Sequence, residues 1–298
     1  MNGPAEPLPR RAILHGILGG AATLALLAAA TPARATLDDT VAQLVEQLEP
    51  NGSYRHPTPA ERNRALAAVD RLASADTTAA TELFSQIGMN VSAETDPATG
   101  RRYALAASRA DSDRRWGMLA IDLTNPPLKV VIEVPHPGSD RHTEQLGLAL
   151  FRALPRAVLL IAGAHRRAAH GTGDVAHQPG SMFHALATHF ADHGADQLQL
   201  HGFDDNSLAD HDIVISAGAG TPDHRSVQIA DDLTRAKFNV CRAWTRRCGS
   251  LEGRTNAQGV AAVNRHPFIH LEINRSTRDD PQRSMALVDA VASGYRSI

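Results

Sequence analysis

The hydrophobic pattern divides the chain into a helical beginning and a longer part in which strands alternate with helices. The spacing of apolar positions predicts early helices over residues 37–48 and 58–84. Short apolar runs such as LKVVIEVPH, AVLLIAGAH and FIHLEIN predict strands in the longer part. The helices predicted between and after these strands cover residues 143–154, 181–191, 223–237 and 282–295. This pattern is typical of an α/β fold with a mostly parallel or mixed central sheet and helices on both faces.

The first 35 residues have the features of a secretory signal peptide. Arg10 and Arg11 precede an apolar run over residues 13–30, and Ala33-Arg34-Ala35 is a cleavage signal. The stretch PRRAIL resembles a twin-arginine signal, with an ordinary export signal as the alternative. We therefore expect export to the periplasm or the cell exterior, cleavage after about Ala35, and no stable membrane anchor afterwards.

Two divisions are expected in the rest of the chain. Residues 36–115 contain the N-terminal helical segment and the first strands, and residues 116–298 form the α/β domain that carries the candidate chemistry. The formal net charge of -2 gives no sign of a nucleic-acid partner. In an oxidising compartment, the close pair Cys241 and Cys248 is most simply a disulfide.

Four predicted strands end in a histidine or a carboxylate: His136, His165, His201 and Glu272. In open α/β sheets, binding sites form at the carboxyl ends of the strands. We therefore expect these side chains to converge at one edge of the sheet.

A catalytic zinc site needs about three protein ligands and one open position. His136 and His201 are candidates, and the third ligand is Asp140, with Glu144 as the alternative. The same carboxylates would also suit a well-capped helix, and His201 would also suit an ordinary core position.

Glu272 lies inside an apolar strand, where an unpaired carboxylate is unfavourable. It is either a general base with a raised pKa or a partner of Arg275 or Arg278. Loops after the strands offer His165, Arg166, His177 and Arg275 as substrate-binding groups.

The order PHPGSD, LQLHG and HLEINR resembles the zinc carboxypeptidase-like superfamily over residues 130–278. Within that group it is most similar to poly-γ-glutamate hydrolases and N-formylglutamate amidohydrolases, with Asp140 at the position of a glutamate. The loop DVAHQP resembles their D-L-N-R-x-P loop, with His177 in the arginine-type position.

The resemblance implies one Zn²⁺ per chain and Glu272 as the general base in hydrolysis of an amide, in a small-molecule or peptide-like substrate. A metal-dependent esterase or phosphoesterase is one alternative, and a non-catalytic exported binding protein is another. The substrate, the native metal, the oligomeric state and the role of the N-terminal helices do not follow from the sequence.

Overall fold

The computed structural model describes residues 35–109, 112–124 and 127–296, together with residues 1 and 3. The helices within these residues are α1 Leu37–Glu46, α2 Pro59–Ala73, α3 Thr77–Ser85, α4 Thr143–Ala153, α5 Ala168–Gly171, α6 Met182–Asp192, α7 His224–Arg235, α8 Ala257–Ala262, α9 Arg275–Asp279 and α10 Pro281–Arg296. The strands are β1 Met89–Thr95, β2 Arg102–Ser108, β3 Met118–Asp122, β4 Val130–Val134, β5 Ala157–Ile161, β6 Asp196–Phe203, β7 Ile213–Ser216, β8 Val240–Arg242 and β9 Phe268–Asn274.

The strands of the described part form one mixed sheet in the order β1-β2-β3-β5-β4-β6-β9-β7-β8. Its middle is parallel, since β5, β4, β6 and β9 run side by side in one direction. Antiparallel pairs join β1, β2, β3 and β5, and β7 runs antiparallel to β9. The α/β fold predicted from the sequence is confirmed, with the sheet mixed rather than wholly parallel.

Helices cover both faces of the sheet, and the central strand β4 shows how. All of its residues are buried, as expected for a strand covered on two sides. Successive residues point to opposite faces, so Ile132 belongs to the core that contains Leu150 of α4. Val131 belongs to the core that contains Leu72 of α2 and Phe183 of α6.

The stretch predicted as one helix over residues 58–84 is two helices. α2 ends at Ala73 and α3 begins at Thr77. Ala75 between them has a φ of 60°, which a helix cannot contain. The side chain of Asp76 accepts a hydrogen bond from the Ala79 amide and caps α3. A short polar side chain that can cap a new helix explains the break.

The start of α2 is tied to the segment that leads into β3. Thr58 and Glu61 form a capping box. The Glu61 carboxylate also accepts hydrogen bonds from Arg55, at 2.8 and 2.9 Å, and from Arg114 at 3.2 Å. These two guanidinium groups lie 5.4 and 5.9 Å from the Trp116 ring centroid. Glu61 therefore joins the helical lead-in to the sheet.

The expected signal peptide lies outside the described residues, which begin their continuous course at Ala35. Among the described helices, none combines the length and the hydropathy that crossing a membrane requires. Cys241 of β8 and Cys248 form a disulfide, both with buried side chains.

Candidate metal centre

The sheet brings three predicted site residues to the carboxyl ends of adjacent parallel strands. β4, β6 and β9 are neighbours, and His136 lies two residues beyond the end of β4. His201 of β6 lies directly opposite Glu272 of β9 in the strand register. The convergence expected from the strand ends therefore holds for His136, His201 and Glu272.

The loop after β4 folds back so that Asp140 lies over His136. The Asp140 amide donates to the His136 carbonyl at 3.0 Å. Gly138 permits this course because its φ is 70°, a conformation that side chains disfavour. The buried guanidinium of Arg278 donates to the carbonyl oxygens of Asp140, at 2.5 Å, and of Arg141. Arg278 thus fixes the loop from the other side.

Two histidines and one carboxylate meet in the interior of this edge. Asp140 Oδ2 lies 3.2 Å from His136 Nδ1 and 3.3 Å from His201 Nδ1. The same oxygen accepts a hydrogen bond from the Gly202 amide at 3.2 Å. The three side chains are buried, and their ligand-type atoms all lie within 4.8 Å of one another.

The outer ring nitrogens of both histidines are held by hydrogen bonds. Asp174 Oδ1 lies 2.7 Å from His136 Nε2, and Gln199 Oε1 lies 2.9 Å from His201 Nε2. A charged carboxylate only accepts hydrogen bonds, so each Nδ1 donates to Asp140, and Asp174 accepts from His136 Nε2. A hydrogen-bond partner on the outer ring nitrogen is typical of histidines that bind a metal ion through the other nitrogen.

Burial and pairing act in opposite directions on these groups. Burial lowers the pKa of His201 to about 4, against the opposing effect of Asp140. For His136, burial also lowers the pKa, but hydrogen bonds to Asp140 and Asp174 outweigh it and raise the value. Burial raises the pKa of Asp140, and hydrogen bonds from both histidines reverse this, so its pKa lies below the usual value. Asp140 is therefore a charged carboxylate between two imidazoles.

Glu272 lies beside His201, and one of its carboxyl oxygens has no hydrogen-bond partner among the described residues. Burial, and then the charge of Asp140, raises its pKa to about 8. Neither Arg275 nor Arg278 pairs with it among the described residues, and its Oε2 atom is buried without a hydrogen-bond partner there. His270 lies two residues before Glu272 in β9, on the same face of the strand. It forms a second group of metal-capable side chains with His201 and Glu272. Glu272 is therefore a half-buried carboxyl group, with one buried oxygen, that is available for proton transfer.

Glu144, the alternative to Asp140, points elsewhere. Its carboxylate accepts hydrogen bonds from the Gly138 and His142 amides, both at 3.3 Å. It braces the loop at the start of α4, where the helix dipole favours a negative charge. Asp140 makes no cap for this helix, whose N-cap is His142. The geometry thus places Asp140, not Glu144, with the two histidines.

Arg166 and His177 both line the cleft and are joined through Asp174. Arg166 Nη2 donates to Asp174 Oδ2 at 3.1 Å, and its Nη1 lies 3.8 Å from Asp140 Oδ1. His177 Nδ1 lies 3.2 Å from Asp174 Oδ1. Asp174 therefore links two expected substrate-binding groups to the His136 ring.

His165 and Arg275 lie outside the cleft lining. His165 Nε2 is 3.0 Å from the Ser139 hydroxyl, which supports the loop after β4. Arg275 Nε donates to Asp279 Oδ2 at 2.6 Å within α9. The structure therefore does not bring these two residues to the cluster.

The opposite wall of the cleft comes from residues 247–256, which the sequence did not indicate as functional. The cleft measures about 640 Å³ and is lined there by Arg247, Glu252, Arg254 and Asn256 among others. This segment, which contains Cys248, shows no periodic spacing of apolar residues. The sequence pattern therefore does not predict that it lies at the strand ends.

A buried polar layer beneath the cluster was also missed. Gln199 Nε2 donates to Glu133 Oε2 at 2.9 Å and to Gln258 Oε1 at 3.2 Å, while Asn256 donates to Gln199 Oε1 at 2.6 Å. Burial raises the pKa of Glu133 to about 8. Strand alternation supplied a usable signal, because Gln199 and His201 lie on one face of β6.

No protein-family model and no curated protein matches the chain. Solved structures similar to it include a bacteriophage poly-γ-glutamate hydrolase, at 13% identity over 60% of this chain and 88% of that chain, with a TM-score of 0.40. Zinc-free YndL matches at 12% identity over 70% and 90%, with a TM-score of 0.42. The Legionella pneumophila aminopeptidase LapA matches at 11% identity over 88% and 71%, with a TM-score of 0.40.

One of these proteins, the poly-γ-glutamate hydrolase, comes from a group that the sequence motifs resemble. The chemistry of this chain follows from its own residues.

Proposed function

We propose that this chain is an exported hydrolase of amide bonds that uses one divalent metal ion, with zinc as the expected ion. The observation that carries the proposal is the arrangement of His136 Nδ1, Asp140 Oδ2 and His201 Nδ1 beside the unpaired Glu272. Nitrogen and oxygen ligands of this kind, three in number, are typical of catalytic zinc sites.

The distances between these atoms suit such an ion. In a tetrahedral site with bonds of about 2.0 Å, neighbouring ligand atoms lie roughly 3.3 Å apart. The observed separations from Asp140 Oδ2 are 3.2 and 3.3 Å. Metal binding would displace the proton shared by His136 and Asp140, because metal-bound imidazole is neutral. Two of the three ligand separations therefore match a tetrahedral site, and the third lies within 4.8 Å.

In the proposed mechanism, a bound ion would act as a Lewis acid and make water a stronger nucleophile at neutral pH. Glu272 accepts the proton of the attacking water and later donates it to the leaving amine. A cation near Glu272 would lower its pKa from the value set by burial, so that it starts as the carboxylate.

The positive groups of the cleft favour a substrate that carries a carboxylate. Arg166 reaches the cleft beside Asp140, where it would stabilise the oxyanion or bind a substrate carboxylate. Arg247 lies on the opposite wall and has no ion-pair partner among the described residues. We therefore expect a small or peptide-like acyl-amino compound, and no nucleic acid.

Export is part of the same proposal. The disulfide between Cys241 and Cys248 is typical of an oxidising compartment, and the first 35 residues read as a signal peptide. Because both cysteines are in the disulfide, neither is a free thiol nucleophile.

The test is an activity screen of zinc-loaded protein against N-acyl amino acids and γ-glutamyl peptides, beside a Glu272→Gln variant. We expect amide hydrolysis in the native protein and a loss of 10²–10⁴-fold in kcat in the variant, roughly the contribution of a general base. Metal content should remain unchanged.

Two results would contradict this function. Hydrolysis of phosphoesters in place of amides would favour a phosphoesterase. Tight ligand binding that Glu272→Gln leaves intact, without turnover, would favour a binding protein.

A further inference from the structure

A second group of metal-capable side chains lies where α2 packs near α6, and it shares no residue with the cleft. Asp70 belongs to α2, His189 to α6, and His193 is the C-cap of α6. One ligand-type atom from each of these side chains lies within 4.8 Å of the others. Nothing in the sequence around these two histidines separates them from ordinary surface residues.

The two histidines are placed together by the helix itself. Residues four apart lie on the same face of a helix, and the ring centroids of His189 and His193 are 4.3 Å apart. Asp70 approaches from the other helix, with its Oδ1 atom 2.7 Å from His189 Nε2. Asp70 and His189 are 119 residues apart in sequence, so the group joins two distant elements.

One imidazole is already oriented for binding. His193 Nδ1 donates to the His189 carbonyl at 2.7 Å, so its Nε2 carries the free lone pair. A backbone carbonyl that fixes the ring in this way is a common partner of metal-binding histidine. The Asp70 side chain is 56% exposed and His189 is 14% exposed, so an ion has access from solvent.

We propose that Asp70, His189 and His193 form a second site, for a divalent transition-metal ion such as Zn²⁺ or Ni²⁺. Two imidazoles and one carboxylate suit these ions, whereas Ca²⁺ and Mg²⁺ require more oxygen ligands. A cavity of about 340 Å³ adjoins all three residues, with Val69 and Phe190 in its apolar lining. Water from this side completes the coordination.

An ion at this site would tie α2 to α6. Because both helices belong to the core on one face of the sheet, binding to the native state alone would stabilise the fold. At a hundredfold excess over the dissociation constant, the melting temperature should rise by roughly 5–10 °C.

The test uses calorimetric titration of Zn²⁺ and Ni²⁺ into metal-stripped full chain. The native protein should bind two ions, and His193→Ala should bind one while keeping its hydrolase activity. Asp70→Asn should weaken the second site at least tenfold. His224→Ala, which removes an exposed histidine of α7, is the matched control and should bind two ions.

This proposal is independent of the function proposed for the cleft, and a His136→Ala background separates the two. There, one ion should remain, and adding His193→Ala should abolish it. The same zinc stoichiometry and the same zinc-induced rise in melting temperature in native protein and His193→Ala would overturn the second site. Because His193 is exposed, its replacement leaves the core intact, and circular dichroism verifies folding.

Discussion

Replacing Asp174 tests whether the outer partner of His136 supports metal binding. Asp174 Oδ1 lies 2.7 Å from His136 Nε2, and no other hydrogen bond holds that nitrogen among the described residues. Asp174→Ala removes both the charge and the acceptor, while Asp174→Asn keeps an acceptor oxygen and removes the charge. Partners of this kind contribute 10–100-fold to metal affinity, which corresponds to about 1.4–2.7 kcal/mol.

We therefore expect zinc affinity to fall about tenfold in Asp174→Asn and towards a hundredfold in Asp174→Ala. Competition with a chromophoric chelator measures both values, in a His193→Ala background that leaves only the cleft site. Glu82→Gln, which neutralises an exposed carboxylate of α3, controls for the loss of one charge. Unchanged affinity in Asp174→Ala would refute the role assigned to this residue.

Three further predictions concern stability. The pKa of Glu61 is lowered to about 2, and the hydrogen bond from Arg55 is the largest of several causes. Because the folded-state value is below the unfolded one, this contribution is present above about pH 4.5 and is lost as pH falls towards 2. Glu61→Gln should thus destabilise the protein by about 2 kcal/mol at pH 7 and by less at pH 3, measured by urea unfolding. Gly117→Ala should lower the free energy of unfolding by about 3 kcal/mol or more. The reason is that the φ of Gly117 is 103° and an added Cβ would lie 2.0 Å from the Ile161 carbonyl oxygen. A decrease below 1 kcal/mol in thermal unfolding would contradict this. Reducing the disulfide between Cys241 and Cys248 should lower the free energy of unfolding by about 2.5 kcal/mol by the chain-entropy model. It should also raise KM, because Cys248 lies in the segment that forms the cleft wall. An unchanged KM would show that the wall keeps its place without the bond.

The sequence was sufficient to predict the edge of the sheet at which the cluster lies. Apolar runs of strand length fix β4, β6 and β9, and the rule that sites form at carboxyl strand ends brings His136, His201 and Glu272 together. The same pattern also held a signal for His270, because residues two apart in a strand share a face.

The choice between Asp140 and Glu144 could not be made from the sequence. It depends on the turn through Gly138 and on the contact of Arg278 with the loop, and Arg278 is 138 residues from Asp140 in sequence. Contacts over such a distance leave no periodic pattern. For the same reason, the wall from residues 247–256 has no local signal, and its place is set by the strands on either side.

The helix boundaries show a local limit of the same reasoning. The spacing of apolar residues continues across residues 74–76, so the pattern predicts one helix. The competing preference of Asp76 to cap a new helix ends it there. Capping depends on one side chain, whereas periodicity averages over many.

The most direct test of the central claim is zinc content by elemental analysis after loading and desalting. The His193→Ala background should retain one zinc per chain, and adding either His136→Ala or His201→Ala should remove it, although these residues are separated by 65 positions. Zinc that both of these variants retain, or no zinc in the parent protein, would contradict a metal centre at the ends of β4 and β6.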